Sequence, residues 1–392
     1  MRGLWALLAT TALLLAGGAQ GAGAVSVSIT GPEHVVFDWD TMRCFQSDGP
    51  DGTPRAHRDS LGRVQLTING PANTRMIGPD LDNLTHDCAI VLQSNFDPLP
   101  SNFDDWLFMG GGWTNDGQEV WRLIHTEYHG REHAGFCMGQ FVVSCDFNTI
   151  TLARSTNGGD SYTHAPAPAH LVAALPYPYV PSEGRVGYFT PSNLVEKDGF
   201  YYSMILVPLG YKEQKGGVCL MRTQDLADPR SWRAWDGTGF NARFIDPYRE
   251  SPEPYNRHVC DPIATEELGV AGAPNRSLTY NTYLGKYVAT GTSNRYNVAR
   301  GEYVWGFYFS LSDDLIHWTD RQLIMEGSTN ATYMCGGPDP TAYPVLLDPD
   351  APDRNLTITD RQTYLFFMRH EYSMCQPTGH RDLIRVPIEF TQ

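Results

Sequence analysis

The chain lacks the features that mark several large classes of protein. After residue 24 no run of apolar residues is long enough to cross a bilayer, which argues against an embedded helical membrane protein. It has no surplus of positive charge: 29 Lys and Arg stand against 44 Asp and Glu, a formal net charge of −15. That balance argues against nucleic acid and membrane as partners and favours a neutral ligand, with Arg55, His57 and Arg58 the one local basic spot. There is no Gly-x-Ser-x-Gly elbow, no phosphate-cradling glycine loop and no dinucleotide fingerprint. Gly110-Gly111-Gly112 lacks the lysine and strand context that a phosphate loop needs. Cys-x-x-Cys spacing is also missing, so the eight cysteines do not read as a metal site.

What is present begins with an export signal. Met1-Arg2, the apolar run Leu4 to Leu15 and the small residues Ala19 to Ala24 have the charged start, apolar middle and Ala-x-Ala-like end of a secretory signal peptide. The expectation is a leader over residues 1–24, one mature domain over 25–392, and a secreted or periplasmic location. An even number of cysteines in an exported chain points to disulfides, with Cys137–Cys145 and Cys335–Cys375 as local closures. Four glycosylation sequons begin at Asn83, Asn275, Asn330 and Asn355.

One pattern recurs around the length of the chain: a strand, a polar turn and a second, aromatic-rich strand. It runs from Pro54 to Leu66, from Trp113 to Ile124, from Pro191 to Tyr202, from Ser277 to Val288, and from Ala342 to Phe367 through a longer polar insert. Further along the units, Ser155 to Tyr162, Arg222 to Trp232 and Ser312 to Trp318 each place a polar turn before a packing aromatic. Units of this size cannot each bury an apolar face alone and must stack. Five of them predict an all-β, five-bladed β-propeller, its ring closed by a strand between Val25 and Trp39 that pairs with the last blade.

Propeller topology brings residues just before a first strand and just after a second strand to one mouth of the central channel. The first group holds Asp48, Asp51, Asp261 and Asp339; the second holds His125, Glu127, His129, His370 and Glu371. On an extended strand His125, Glu127 and His129 share a face. Three ionisable groups there line a wet cavity, bind a metal or perform acid chemistry. Met368-Arg369-His370-Glu371-Tyr372 echoes that motif in the fifth unit, and Arg55 beside Asp51 would keep it ionised. Inner strands add Ser192 and Asn193, while Tyr128 can stack on a sugar ring and desolvate Glu127.

The strand–Gly–aromatic hairpin Gly199-Phe200-Tyr201-Tyr202 and the turn Ser312 to Trp318 resemble those of five-bladed propeller glycoside hydrolases, the group that includes families 43, 32, 117 and 130. The resemblance covers most of the mature chain and implies a secreted hydrolase acting on a poly- or oligosaccharide through two carboxylates. It implies an aspartate at the opening of the first blade as base or nucleophile, a position that Asp51 matches approximately, three residues before Pro54. The third-blade acid of that group has no counterpart in Thr190-Pro191-Ser192-Asn193, which moves the proton-donor role to Glu127, with Asp261 and Glu371 as further catalytic carboxylates. Arg55, His125, Tyr128, His129, Ser192, Asn193, Asp339 and His370 are then the expected substrate contacts. No catalytic metal or cofactor is expected, a structural calcium or other divalent cation in the channel being the alternative. Competing readings are a non-catalytic carbohydrate-binding propeller, a sialidase-like enzyme suggested by Ser155-Thr156-Asn157-Gly158-Gly159-Asp160-Ser161-Tyr162, and a metal-assisted enzyme using His125, Glu127 and His129.

Overall fold

The computed structural model describes residues 25–70, 72–138, 145–181, 184–250, 253–263, 277–329 and 332–392. The leader over 1–24 and the sequons at Asn275 and Asn330 lie outside the described residues. The described strands form five sheets, each an antiparallel meander with short additions, arranged as a five-bladed propeller.

Each repeat read from the sequence supplies the two inner strands of one blade. Blade one runs from Ala56–Arg58 through Val64–Ile68 and Ala72–Gly78 to Thr85–Gln93. Blade two is built on Trp106–Trp113, Val120–His129 and Asp146–Ser155. Blade three begins with Val195–Lys197, Phe200–Val207 and Gly217–Thr223. Blade four contains Ser277–Asn281, Lys286–Asn297 and Glu302–Ser312, and blade five contains Thr341–Leu347, Gln362–Ser373 and Gln376–Thr391. The ring is closed as expected. Ser26–Ile29 pairs with the end of Gln376–Thr391, Ser26 opposite Thr391, and His34–Phe37 pairs with an earlier part of the same strand. This covers an edge that would otherwise expose a row of unpaired backbone groups.

The polar turns do what their composition suggests. In Ser312 to Trp318 the Ser312 hydroxyl accepts the amides of Asp314 and Leu315, and Asp314 Oδ1 accepts those of Ile316 and His317. The turn thereby satisfies its own backbone and delivers Trp318, 8% exposed, between blades. Tyr162 and Trp232 are buried after their turns in the same way.

The polar insert of blade five closes the far end of the channel. Arg354 donates to the carbonyls of Arg58 and Asp59 in blade one, Asn355 exchanges two hydrogen bonds with the backbone of Thr114 in blade two, and Ile358–Thr359 pairs with Tyr280 and Asn281 of blade four. One segment thus bridges three blades. Asn355 is 6% exposed and its amide is spent on Thr114, so this sequon is a structural asparagine, whereas Asn83 is exposed.

All eight cysteines are paired, as Cys44–Cys88, Cys137–Cys145, Cys219–Cys260 and Cys335–Cys375, which include both local closures expected from the sequence.

Candidate active site

The open mouth of the channel contains a cavity of about 200 Å³. Its wall carries Asp51 and Glu127 together with Arg55, His125, Arg185, Tyr343 and the rings of Phe108 and Phe189. Asp51 arrives on the loop before the first inner strand, held there by its amide bonding to the carbonyl of Asn69 at 2.6 Å. Its Oδ1 accepts from the Tyr343 hydroxyl at 3.0 Å and pairs with Arg381 at 2.5 Å. Oδ2 has no hydrogen-bond partner among the described residues and is available to water or to a substrate.

Glu127 comes from the second strand of blade two, in register between Trp106 and Asn148. Oε1 lies 3.5 Å from His125 Nδ1 and Oε2 lies 2.9 Å from His129 Nε2, while His129 also reaches Glu132 at 3.3 Å. Asn148 donates to His125 Nε2 at 2.8 Å, so His125 Nε2 is the unprotonated nitrogen. Burial opposes charge on Glu127, but the two histidines and Arg185 outweigh it and hold the carboxyl down to about 2. His125, deeply buried, is pushed down to about 4 and is neutral at pH 7, whereas bonding to Glu127 lifts His129 above its ordinary value against the cost of burial. The arrangement is therefore a Glu127 carboxylate in contact with His129, a contact that favours the protonated imidazole.

This reverses the expectation that Tyr128 desolvates Glu127 and raises it. Side chains alternate along the strand, so Tyr128 turns away from the cavity, donates to the Pro98 carbonyl at 2.9 Å and packs beside His133 and Tyr179. Burial pushes its hydroxyl above the ordinary tyrosine value, so it stays protonated there. Tyr128 is a packing residue.

Several other sequence-derived candidates are also placed elsewhere. Glu371 follows His370 by one position and faces the opposite side of its strand, where it pairs with His380 in a separate cavity with Asp339, Asp40 and Asp382. Asp339 accepts the amide of Tyr372 there. Asp261 does not reach the mouth because its segment still runs along blade three: its amide bonds to Trp235, Val218 pairs with Ile263, and its carboxylate meets Lys215 at 2.6 Å. Asp48 turns inward to the Cys44 amide and the Thr74 hydroxyl. Ser192 and Asn193 are structural: Ser192 accepts the Met204 amide, and Asn193 accepts the Leu278 amide and Arg55.

His370 does approach the cavity, its ring 5.7 Å from that of Tyr343, buried and lowered to about 4. Arg55 lines the cavity wall, and burial with the neighbouring Arg122 guanidinium pulls it down to about 9, so it remains a cation at neutral pH. His57 is held neutral near 3 by burial and by the same Arg122, so it adds no charge to the expected basic spot, which is left to the arginines.

Arg381, Tyr343 and Arg185 were missed by the sequence reading. Arg381 lies in the first half of the third strand of blade five, Gln376–Thr391, opposite His370 near the end of the second strand. Tyr343 sits at a positive φ of 59° where the register shifts between Ala342 and Val345, a bulge that re-aims its side chain. Pro344 inside a strand-like run was the available signal for that bulge.

A metal ion in the channel would need several ligand atoms that converge. Among the described residues the one group whose ligand atoms converge is Cys44, His86 and Cys88, and its cysteines form a disulfide. His125, Glu127 and His129 are instead occupied with one another, and Arg55 and Arg185 bring cations to the cavity.

No family model and no curated protein matches the chain. Among solved structures it is similar to the alpha-L-arabinanase of Cellvibrio cellulosa, at 12% identity over 86% of this chain and 90% of that one, with a TM-score of 0.45. It is also similar to an alpha-L-arabinofuranosidase from Lactobacillus brevis, at 8% identity, 90% and 94% coverage and a TM-score of 0.47. A third similar structure is the alpha-L-arabinofuranosidase of Podospora anserina in complex with cellotriose, at 8% identity, 90% and 95% coverage and a TM-score of 0.48. Likenesses at this level do not assign an activity to this chain.

Proposed function

We propose that the protein is a secreted glycoside hydrolase that cleaves a poly- or oligosaccharide at the open mouth of the propeller, with Asp51 as base or nucleophile and Glu127 as proton donor. The observation that carries this reading is that two carboxylates from different blades line one cavity, each held in place by neighbouring side chains. Glycosidic cleavage requires one carboxyl group to protonate the leaving oxygen and a second to activate water or attack the anomeric carbon.

The proton for Glu127 is stored on His129. With the cavity open to water the pair is carboxylate and imidazolium, 2.9 Å apart. A sugar seated over it removes water, and loss of solvation disfavours both charges at once. The proton then moves from His129 Nε2 to Glu127, which donates it to the glycosidic oxygen, while Asp51 Oδ2 takes a proton from water or bonds to the anomeric carbon. Tyr343, raised far above the ordinary tyrosine range mainly by burial and then by Asp51, keeps its proton and with Arg381 fixes Oδ1.

The second reading is a carbohydrate-binding propeller without turnover, favoured by the low value at which Glu127 is held. A release assay on plant, algal and microbial glycans separates the two. Cleavage by the wild type, abolished in Glu127→Gln and Asp51→Asn, is expected. An alkaline limb that shifts in His129→Asn would identify the proton store. Binding without cleavage supports the lectin reading, and near-normal turnover by both folded carboxylate variants removes Asp51 and Glu127 from the mechanism.

A further inference from the structure

Within the cavity that holds Asp51 and Glu127, one cation is bonded to neither of them. Arg185 immediately precedes the short strand Val186–Gly187, which runs parallel to the start of the third strand of blade two, Val186 beside Phe147 and Gly187 beside Asn148. Gly187 has a positive φ of 119°, and a Cβ there would collide with the Asn148 backbone, so the strands lie this close only because the residue is glycine. The register sets Arg185 next to Asp146, which in turn lies opposite His129 on the strand that carries Glu127.

Asp146, its side chain 2% exposed, accepts from Arg185 Nε at 3.1 Å. The Arg185 side chain is 44% exposed and lines the cavity, and neither of its Nη nitrogens donates a hydrogen bond among the described residues. A buried carboxylate thus anchors the guanidinium through one nitrogen and leaves the other two to a ligand. Two N–H groups in that planar arrangement match the two oxygens of a carboxylate.

The charges at the cavity favour the same occupant. Asp51 is paired with Arg381 and Glu127 with His129, while Arg55 and Arg185 bring two further cations to the wall. The chain as a whole carries −15, but salt screens charges beyond about 8 Å at physiological ionic strength, so the groups on the wall dominate what a ligand meets. Arg185 is also one of the groups that hold Glu127 ionised. A neutral ligand leaves that cation acting against proton donation. A carboxylate docked on Arg185 offsets it and brings negative charge towards Glu127, and both effects favour the protonated acid.

We propose that the sugar seated in this cavity is a hexuronic acid, its carboxylate bound by Nη1 and Nη2 of Arg185, and that Arg185 selects acidic glycans over neutral ones. Its role as a substrate rests on the hydrolase reading of the cavity; recognition of the carboxylate is tested by binding alone.

The probes are oligomers of galacturonic, glucuronic, mannuronic and guluronic acid, each compared with its carboxyl-reduced, neutral counterpart. Binding to the full mature protein is measured by calorimetry in the Asp51→Asn background, which keeps Glu127, His129 and Arg185, and cleavage is measured separately with the wild type. At least one acidic oligomer is expected to bind roughly tenfold or more tightly than its reduced form. Arg185→Gln should bring the two forms within about twofold of each other by weakening the acidic one alone. Arg185→Lys, which keeps the charge and loses the fork, should fall between, and it carries the test if Arg185→Gln fails to fold. No binding of any of the four acidic oligomers, equal binding of acidic and reduced forms, or a preference that survives loss of the Arg185 fork overturns the proposal. Acidic preference in binding without cleavage by the wild type removes the hydrolase reading and keeps the ligand class. Cleavage of neutral glycans with no acidic preference does the reverse.

Discussion

The second strands of blades two and five end in the same residue types, His125-Thr126-Glu127-Tyr128-His129 and Arg369-His370-Glu371-Tyr372, and the propeller brings both ends to the same mouth. In blade two the imidazole and the carboxylate are two positions apart, share a face and meet in the cavity. In blade five they are adjacent and are split by the pleat: His370 faces Tyr343 and the Asp51 side, and Glu371 faces His380 and a separate acidic pocket. A one-residue difference in spacing therefore separates a candidate proton donor from a surface ion pair. Blade five still serves the cavity, but through Arg381 and Tyr343, which hold Asp51.

The sharpest way to break this comparison is to treat the two glutamates alike. Glu127→Gln is expected to lower turnover by a factor on the order of 10² or more on a substrate with a poor leaving group, and less with a good one. Glu371→Gln is expected to stay within about twofold of wild type, since it removes no interaction made in the cavity. Equal losses in steady-state assays would put both carboxylates in the chemistry and contradict their placement.

The two strand ends share one property, a buried neutral histidine, and acid should expose it. His125 and His370 are lowered to about 4 and His57 to about 3, mainly by burial, so between about pH 6 and 5 the unfolded chain binds protons that the folded chain refuses. Stability then falls as pH falls. Three such groups give a slope approaching about 4 kcal/mol per pH unit. Urea midpoints at pH 7, 6 and 5 measure it; a flat profile would mean that these histidines are protonated in the native protein.

Each of these blades also carries a disulfide near its top, and the loops they close differ in length. Cys335–Cys375 spans 40 residues and Cys137–Cys145 spans 8. On loop entropy alone the first contributes about 4 kcal/mol and the second about 2.5. Paired Cys→Ala variants compared by thermal unfolding should rank in that order, and the reverse ranking would show that native contacts, not chain entropy, dominate at these sites. The smallest effect belongs to the insert at the closed end: Asn355→Ala should cost about 1–3 kcal/mol by orphaning the buried Thr114 backbone groups. Mass spectrometry of the protein expressed through a glycosylating export pathway should find Asn355 unmodified, and a glycan there would mean that the insert does not dock between the blades.

The propeller was legible because its signals are local and repeated. Turn residues that bond their own backbone, aromatics at fixed offsets and five hairpins in phase need no knowledge of distant neighbours. The closing strand at Val35-Val36-Phe37 was readable for the same reason, and the Cys137–Cys145 pairing followed from proximity along the chain. Asp51 and Glu127 could be nominated together because topology alone carries strand ends to a common mouth.

What the sequence by itself determined, then, is the set of elements and the face on which His125, Glu127 and His129 project, since both follow from backbone geometry within a few residues. Only the tertiary structure decided which charges meet. Arg381 rather than an inner-strand residue forms the recorded ion pair with Asp51, Tyr343 reaches it through a bulge, and Asp261 and Glu371 are carried to other surfaces. It also decided that Glu127 is held ionised, because a buried carboxyl group rises or falls according to the groups beside it: His125 and His129 lie on its own strand, but Arg185 and the burial itself come from segments that only the fold brings there.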